Sequence, residues 1–213
     1  MSDICSDIHH IFQNLKRYKF PFSEANLPKN GIYILFEKNE LAHNGERIIR
    51  VGTHTGNDNL VKRLKEHFMK ENKDRSIFRK NIGRAILHKK DDPFLEQWNW
   101  DLTTRVNKDK YSPLVDFEKQ KSTEEEVSQY IKNNFSFAIF EVKSKNDRLN
   151  FESKIISTIS LCENCKPSSH WLGEYSPIQK IKESGLWLVQ GLYKTPLNTE
   201  DIERIKSLLS QNR

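Results

Sequence analysis

Asn30-Gly31-Ile32-Tyr33-Ile34-Leu35-Phe36 opens the stretch that decides the fold, and Arg63-Leu64-Lys65-Glu66-His67-Phe68 closes it. Gly31-Ile32-Tyr33 begins one apolar run, and Arg50-Val51-Gly52 ends a second, Ile48-Ile49-Arg50-Val51. Residues 31–37 and 46–52, rich in Ile, Val, Phe and Tyr, read as two strands. His43-Asn44-Gly45-Glu46 supplies turn chemistry in a longish loop between them, which predicts an antiparallel hairpin. Alternation places Tyr33 and Leu35 on one face and Ile32, Ile34 and Phe36 on the other. On the second strand it groups Arg50 with Ile48 and Gly52. Residues 58–70 then form a helix, because Leu60, Val61, Leu64 and Phe68 recur at helical spacing. Arg63 and His67, one turn apart at the edge of that stripe, aim at one spot. Taken alone they read equally well as a solvated basic edge beside Lys62 and Lys65.

The rest of the chain bounds what this unit can be. With 213 residues it can bury a core without staples. Lys+Arg is 35 against Asp+Glu 29, a net charge of +6, which favours an anionic partner. No apolar run reaches membrane-spanning length, and Met1-Ser2-Asp3-Ile4-Cys5 does not begin a signal peptide, so a cytoplasmic protein with no membrane partner is expected. Three cysteines fit reduced thiols better than a disulfide framework.

Taken in order, Ile4, Ile8, Ile11, Phe12 and Leu15 define an amphipathic N-terminal helix capped by Ser2 or Asp3, within a segment 1–27. Residues 76–87 form another helix with Phe78, Ile82, Ala85 and Ile86 inward. Arg79, Lys80 and Arg84 then lie outward or at the edge, which reads equally well as a phosphate-contacting row or an ordinary solvated face. Residues 88–121 are polar and irregular, an insertion in which buried tryptophans are expected. Ser122-Thr123-Glu124-Glu125 is a capping box that starts a helix to about Asn133. Residues 135–142 are a third strand. A helix capped by Asp147 follows, with Leu149, Phe151, Ile155, Ile156 and Ile159 as its apolar stripe. Glu152 falls near the centre of that stripe, where a carboxylate is costly unless it is paired or binds a metal. Residues 178–184 form a short helix stopped by Gly185, and Asn198 to Asp201 caps a final one.

Cys162-Glu-Asn-Cys165 has the spacing of half a zinc site, with His170 nearby. A closed structural site needs four ligands and no second Cys pair exists, so zinc is not expected.

The order strand, strand, Arg-x-x-x-His helix and later helix with an unpaired Glu resembles the GIY-YIG nuclease superfamily, with Arg50-Val51-Gly52 standing for Tyr-Ile-Gly. The resemblance covers roughly residues 28–170 and implies an α+β fold, a small three-stranded antiparallel sheet flanked by helices. Residues 171–213 would be a helical extension. It implies hydrolysis of DNA phosphodiester bonds with one divalent ion, magnesium or manganese, held by Glu152. Tyr33 would take or relay the proton of the attacking water, Arg63 would clamp the phosphate, and His67 would orient or deprotonate Tyr33. Arg50 either disables the site or replaces the missing tyrosine with a fixed positive charge. DNA contacts are expected from Lys62, Arg79, Lys80 and Arg84, and the superfamily's further Asn has Asn164 as nearest candidate. Two other readings stay open, an inactive DNA-binding module of the same fold and a protein-interaction domain.

Overall fold

A computed structural model describes residues 3–25 and 27–211. In chain order the elements are α1 (Ile4–Gln13), β1 (Tyr18–Lys19), β2 (Gly31–Ala42), β3 (Gly45–Gly52), α2 (Leu60–Phe68), α3 (Ile77–Lys89), α4 (Leu95–Asn99), α5 (Arg105–Tyr111), α6 (Phe117–Asn134), β4 (Phe135–Glu141), α7 (Lys145–Ser160), α8 (Gln179–Ser184) and α9 (Thr199–Gln211). The sheet has the order β1-β4-β2-β3 and is antiparallel throughout. Among the described residues it has four strands where three were expected, because Tyr18 and Lys19 pair with Phe137 and Ser136 at the edge of β4.

Sheet alternation divides the core in two. Tyr33, Leu35, Ile49 and Phe137 face α2, α3 and α6 together with Trp98, Trp171 and Trp187. Ile32, Ile34, Phe36, Ile48 and Val51 face α1, α7 and α9. The sheet is therefore sandwiched between two helical layers, and each face buries its own apolar set.

The hairpin is tighter than the sequence suggests. Ala42 pairs with Gly45, and both residues between them, His43 (φ 51°) and Asn44 (φ 63°), are left-handed, as a two-residue turn of primed type requires. The expected loop is strand instead. Leu35 pairs with Arg50 but Phe36 with Ile48, so Ile49 is the extra residue of a β-bulge. This corrects the alternation. Arg50 and Gly52 lie on the Tyr33 face, while Ile48 is on the opposite one.

Caps also differ from expectation. Asp3 caps α1 by accepting from Cys5 N–H; the alternative cap, Ser2, lies outside the described residues. Asp116, not the 122–125 box, caps α6 by accepting from Lys119 N–H. Ser122 and Thr123 donate their hydroxyls back to the Lys119 carbonyl, which places them inside the helix. Ser144 rather than Asp147 caps α7. Residues 88–121 are largely helical, with Trp98 fully buried against Gly83 of α3, where a Cβ would fall on the indole ring. Asn198 and Asp201 cap α9 reciprocally, each accepting from the other's N–H at 2.8 and 3.0 Å. No helix among the described residues is long and apolar enough to cross a membrane.

Candidate active site

Tyr33 and Arg50 meet because the register that pairs Tyr33 with Gly52 and Leu35 with Arg50 puts all four on one face. Arg50 Nε donates to the Tyr33 hydroxyl oxygen at 3.3 Å. Its Nη1 donates to the Trp187 carbonyl, and its guanidinium lies 5.0 Å from the Phe78 ring centroid. Gly52, paired with Tyr33, leaves room for the phenol, since a Cβ there would collide with the tyrosine ring. The glycine and the tyrosine are thus one device.

Around this pair opens a cleft of ≈ 500 Å³ whose walls include Tyr33, Arg50, Thr53, Arg63, Asn81, Glu152 and Lys194. Arg63 comes from α2, half-buried, 3.8 Å from Glu66. Glu152 comes from α7, where Phe151, Ile155 and Ile156 are buried but Leu149 is 45% exposed. The helix therefore turns Glu152 to the edge of its apolar stripe and into the cleft. One carboxylate oxygen accepts from Thr53 N–H at 3.0 Å, and Glu152 makes no ion pair among the described residues. Burial pushes its carboxyl above the ordinary carboxylate range, opposed by the Thr53 N–H and the charges of Arg50 and Arg63. A half-buried oxygen ligand that faces positive side chains at a distance and has no paired cation among the described residues fits a hard divalent ion.

His67 is on the same helix as Arg63 but does not line the cleft. It lies fully buried behind Tyr33, with ring centroids 6.2 Å apart, and its Nδ1 is 2.7 Å from Ser76 Oγ. Its Nε2 has no partner among the described residues. Burial, then Arg50 and Arg63, holds the imidazole down to about 2, so it is neutral at any physiological pH.

The basic row on α3 is not a surface. Arg79 is fully buried, with Nε donating to Glu124 Oε2 at 2.8 Å and Nη2 to the Glu124 carbonyl and Ser128 Oγ. Lys80 is 7% exposed and donates to Asp74 and to the Trp100 carbonyl. Arg84 donates to Asn99 Oδ1 and Asn81 Oδ1. Helices α4 and α6 fold over α3 and make Arg79 and Lys80 packing anchors, which corrects their expected outward position, while Arg84 stays half-buried at the edge. Lys62 is exposed, beside Arg63 on a smaller adjoining cleft. Asn164 is exposed on a turn away from the site, and the asparagine in the cleft wall is Asn81.

Sequence reasoning missed Asn81, Lys194 and the Trp187 carbonyl. The segment 187–194 has no periodic pattern, so only its covering of Arg50 reveals it as a wall.

A family model described as GIY-YIG domain matches residues 3–212. The chain belongs to the GIY-YIG family, whose domain is of nuclease type and whose nucleases depend on metal. The match takes in the N-terminal helix and the C-terminal segments as well as the sheet. No curated protein and no solved structure matches the chain.

Proposed function

We propose that this chain is a divalent-metal-dependent endonuclease that hydrolyses DNA phosphodiester bonds in the cytoplasm. The observation that carries the reading is the convergence of Tyr33, Arg50, Arg63 and Glu152 on one cleft from four different elements. A phosphate fits there because two guanidinium groups face it and Glu152 is the sole carboxylate in its wall among the described residues.

Glu152 would hold the ion, magnesium or manganese, which supplies charge neutralisation at the scissile phosphate and the leaving oxygen. Arg63, the more exposed of the two arginines, grips the phosphate. Tyr33 takes or relays the proton of the water that attacks phosphorus. Arg50, locked by the Trp187 carbonyl, points Nε–H at the phenolic oxygen and meets negative charge there without reorganising. That favours functional replacement of the missing tyrosine over a disabled site. His67, held neutral, is a poor proton acceptor, and its role is to orient the Tyr33 ring. Lys62 and Lys194, exposed at the rim, contact flanking phosphates.

The direct test is incubation of supercoiled plasmid with the protein and magnesium. Nicked or linear product that disappears with chelator supports the reading. Salt-dependent binding without cleavage in magnesium or manganese would make it a binding module instead.

A further inference from the structure

Away from the cleft, a second cluster of reactive side chains gathers from three distant parts of the chain. Cys5 and His9 stand one turn apart on α1, His43 sits in the β2–β3 turn, and Cys165 ends a turn after α7. One donor atom from each lies within 4.8 Å of the others. The Cys5 and Cys165 sulfurs are 3.5 Å apart. Cys165 Sγ is 3.4 Å from His43 Nε2 and 3.9 Å from His9 Nε2, and Cys5 Sγ is 3.7 Å from His9 Nδ1.

The sulfur–sulfur distance and the two distances from Cys165 Sγ to the imidazole Nε2 atoms match edges of a coordination tetrahedron. With Zn–S near 2.3 Å and Zn–N near 2.0–2.1 Å, sulfur–sulfur and sulfur–nitrogen edges come to about 3.8 and about 3.6 Å. The sulfurs are too far apart for a disulfide bond, which is about 2.05 Å. Cys5, His9 and Cys165 are each at most 3% exposed. Apolar packing gives no reason to bring two thiols and two imidazoles together in one buried spot.

The surroundings orient the ligands. His9 Nδ1 is 2.9 Å from the Cys5 carbonyl, which fixes the proton there and leaves Nε2 with its lone pair. His43 Nδ1 is 3.6 Å from the Asp3 carboxylate, with Nε2 toward the thiols. A carbonyl or carboxylate behind each imidazole is the usual support of a metal-bound histidine. Ile48 N–H lies 3.3 Å from His9 Nε2 and would give up that contact to the ion. Cys162 Sγ, half-buried, is 3.4 Å from His43 Nε2 at the rim of the cluster.

We propose that Cys5, His9, His43 and Cys165 form a closed, structural zinc site. Two soft thiolates and two imidazoles in tetrahedral array select zinc over the hard ions expected at Glu152. Binding replaces the two thiol protons, which leave to solvent, by two sulfur–zinc bonds. None of the four lines the catalytic cleft. The site ties α1 and the segment after α7 to the tip of the hairpin that carries Arg50, and it is independent of the nuclease reading.

The test is the metal content of the untagged full-length protein, purified without chelator under reducing conditions. Close to one zinc per chain is expected, with His170→Ala and Cys162→Ser retaining it and Cys5→Ser, His9→Ala and Cys165→Ser losing it. Because those three variants could misfold, cobalt(II) is also titrated into the metal-stripped wild type. Intense tetrahedral thiolate–cobalt absorption, abolished by stoichiometric zinc, supports the site. Wild type that carries no zinc and develops no such absorption overturns it, as does a Cys5–Cys165 disulfide persisting in reductant. Loss of zinc in Cys162→Ser with retention in His9→Ala overturns the ligand set.

Discussion

Arg50 donates from Nε to the hydroxyl oxygen of Tyr33 across 3.3 Å, and the same guanidinium is anchored by the Trp187 carbonyl from the C-terminal segment. A cation so held cannot swing away when charge develops beside it. It also makes the sheet and the C-terminal segment parts of one site.

Arg50→Ala should therefore cut the single-turnover cleavage rate by on the order of a hundredfold while DNA affinity falls much less. Arg50→Lys should recover only part, because an ammonium cannot address the phenol and the Trp187 carbonyl with one planar fork. Stopped reactions on a labelled duplex measure this. A rate unchanged in Arg50→Ala, or activity gained in Arg50→Tyr, would return Arg50 to a disabling role.

His67 makes a prediction about pH. Its folded value, down to about 2, lies below the ordinary histidine value of 6.5. The unfolded chain therefore binds the extra proton first, and stability is lost as pH falls below about 6.5, by up to about 1.4 kcal/mol per pH unit from this group. Denaturant unfolding at pH 7 and pH 5 should show the loss, and His67→Asn should flatten it. Cleavage between pH 6 and 8 should show no limb belonging to His67. A titration of His67 near neutrality, seen by NMR, would contradict its burial.

The α3 cations make opposite predictions to the rim lysines. Arg79→Ala strands Glu124 in the core and should cost about 3–5 kcal/mol of stability, with no change in the salt slope of DNA binding. Lys62→Ala and Lys194→Ala should leave stability alone and each lower that slope by about 1. Binding isotherms over a salt series separate the two groups. A salt slope altered by Arg79→Ala in a folded protein would put α3 back at the interface.

If Glu152 holds the ion as proposed, the ion should relieve a local strain. Burial raises the Glu152 carboxyl, so the ionised form is held less favourably here than in water when no cation is present. Glu152→Gln keeps an oxygen for Thr53 N–H and removes the charge. It should raise the melting temperature in chelator by a few degrees, roughly 2–4 °C per kcal/mol for a chain of this size. Magnesium should stabilise the wild type but not the variant. A variant that melts lower in chelator would mean that Glu152 is paired for structure.

What could be read from sequence followed the range of the interactions involved. The hairpin, the Arg63–His67 helix and the α7 stripe rest on neighbours within a few residues, and periodicity exposes them. The bulge at Ile49 left no mark, because Ile48, Ile49 and Val51 are all apolar and buried whichever face they take. Arg79 looked outward on its own helix since Glu124, which buries it, is 45 residues away. Ser122-Thr-Glu-Glu mimics a helix start, yet Asp116 had already begun the helix and Glu124 was needed elsewhere. The partner of Cys165 is Cys5, 160 residues distant, so a search for a second nearby Cys pair could not find the cluster.

Glu152 is the residue through which cleavage should depend on metal. Wild type and Glu152→Gln are compared on supercoiled plasmid with magnesium, at matched DNA binding and with melting curves beside them. Nicking by the wild type, abolished by chelator and by Glu152→Gln while the variant still binds DNA, is the predicted result. Near-wild-type nicking by folded Glu152→Gln, or none by the wild type with magnesium or manganese, would contradict it.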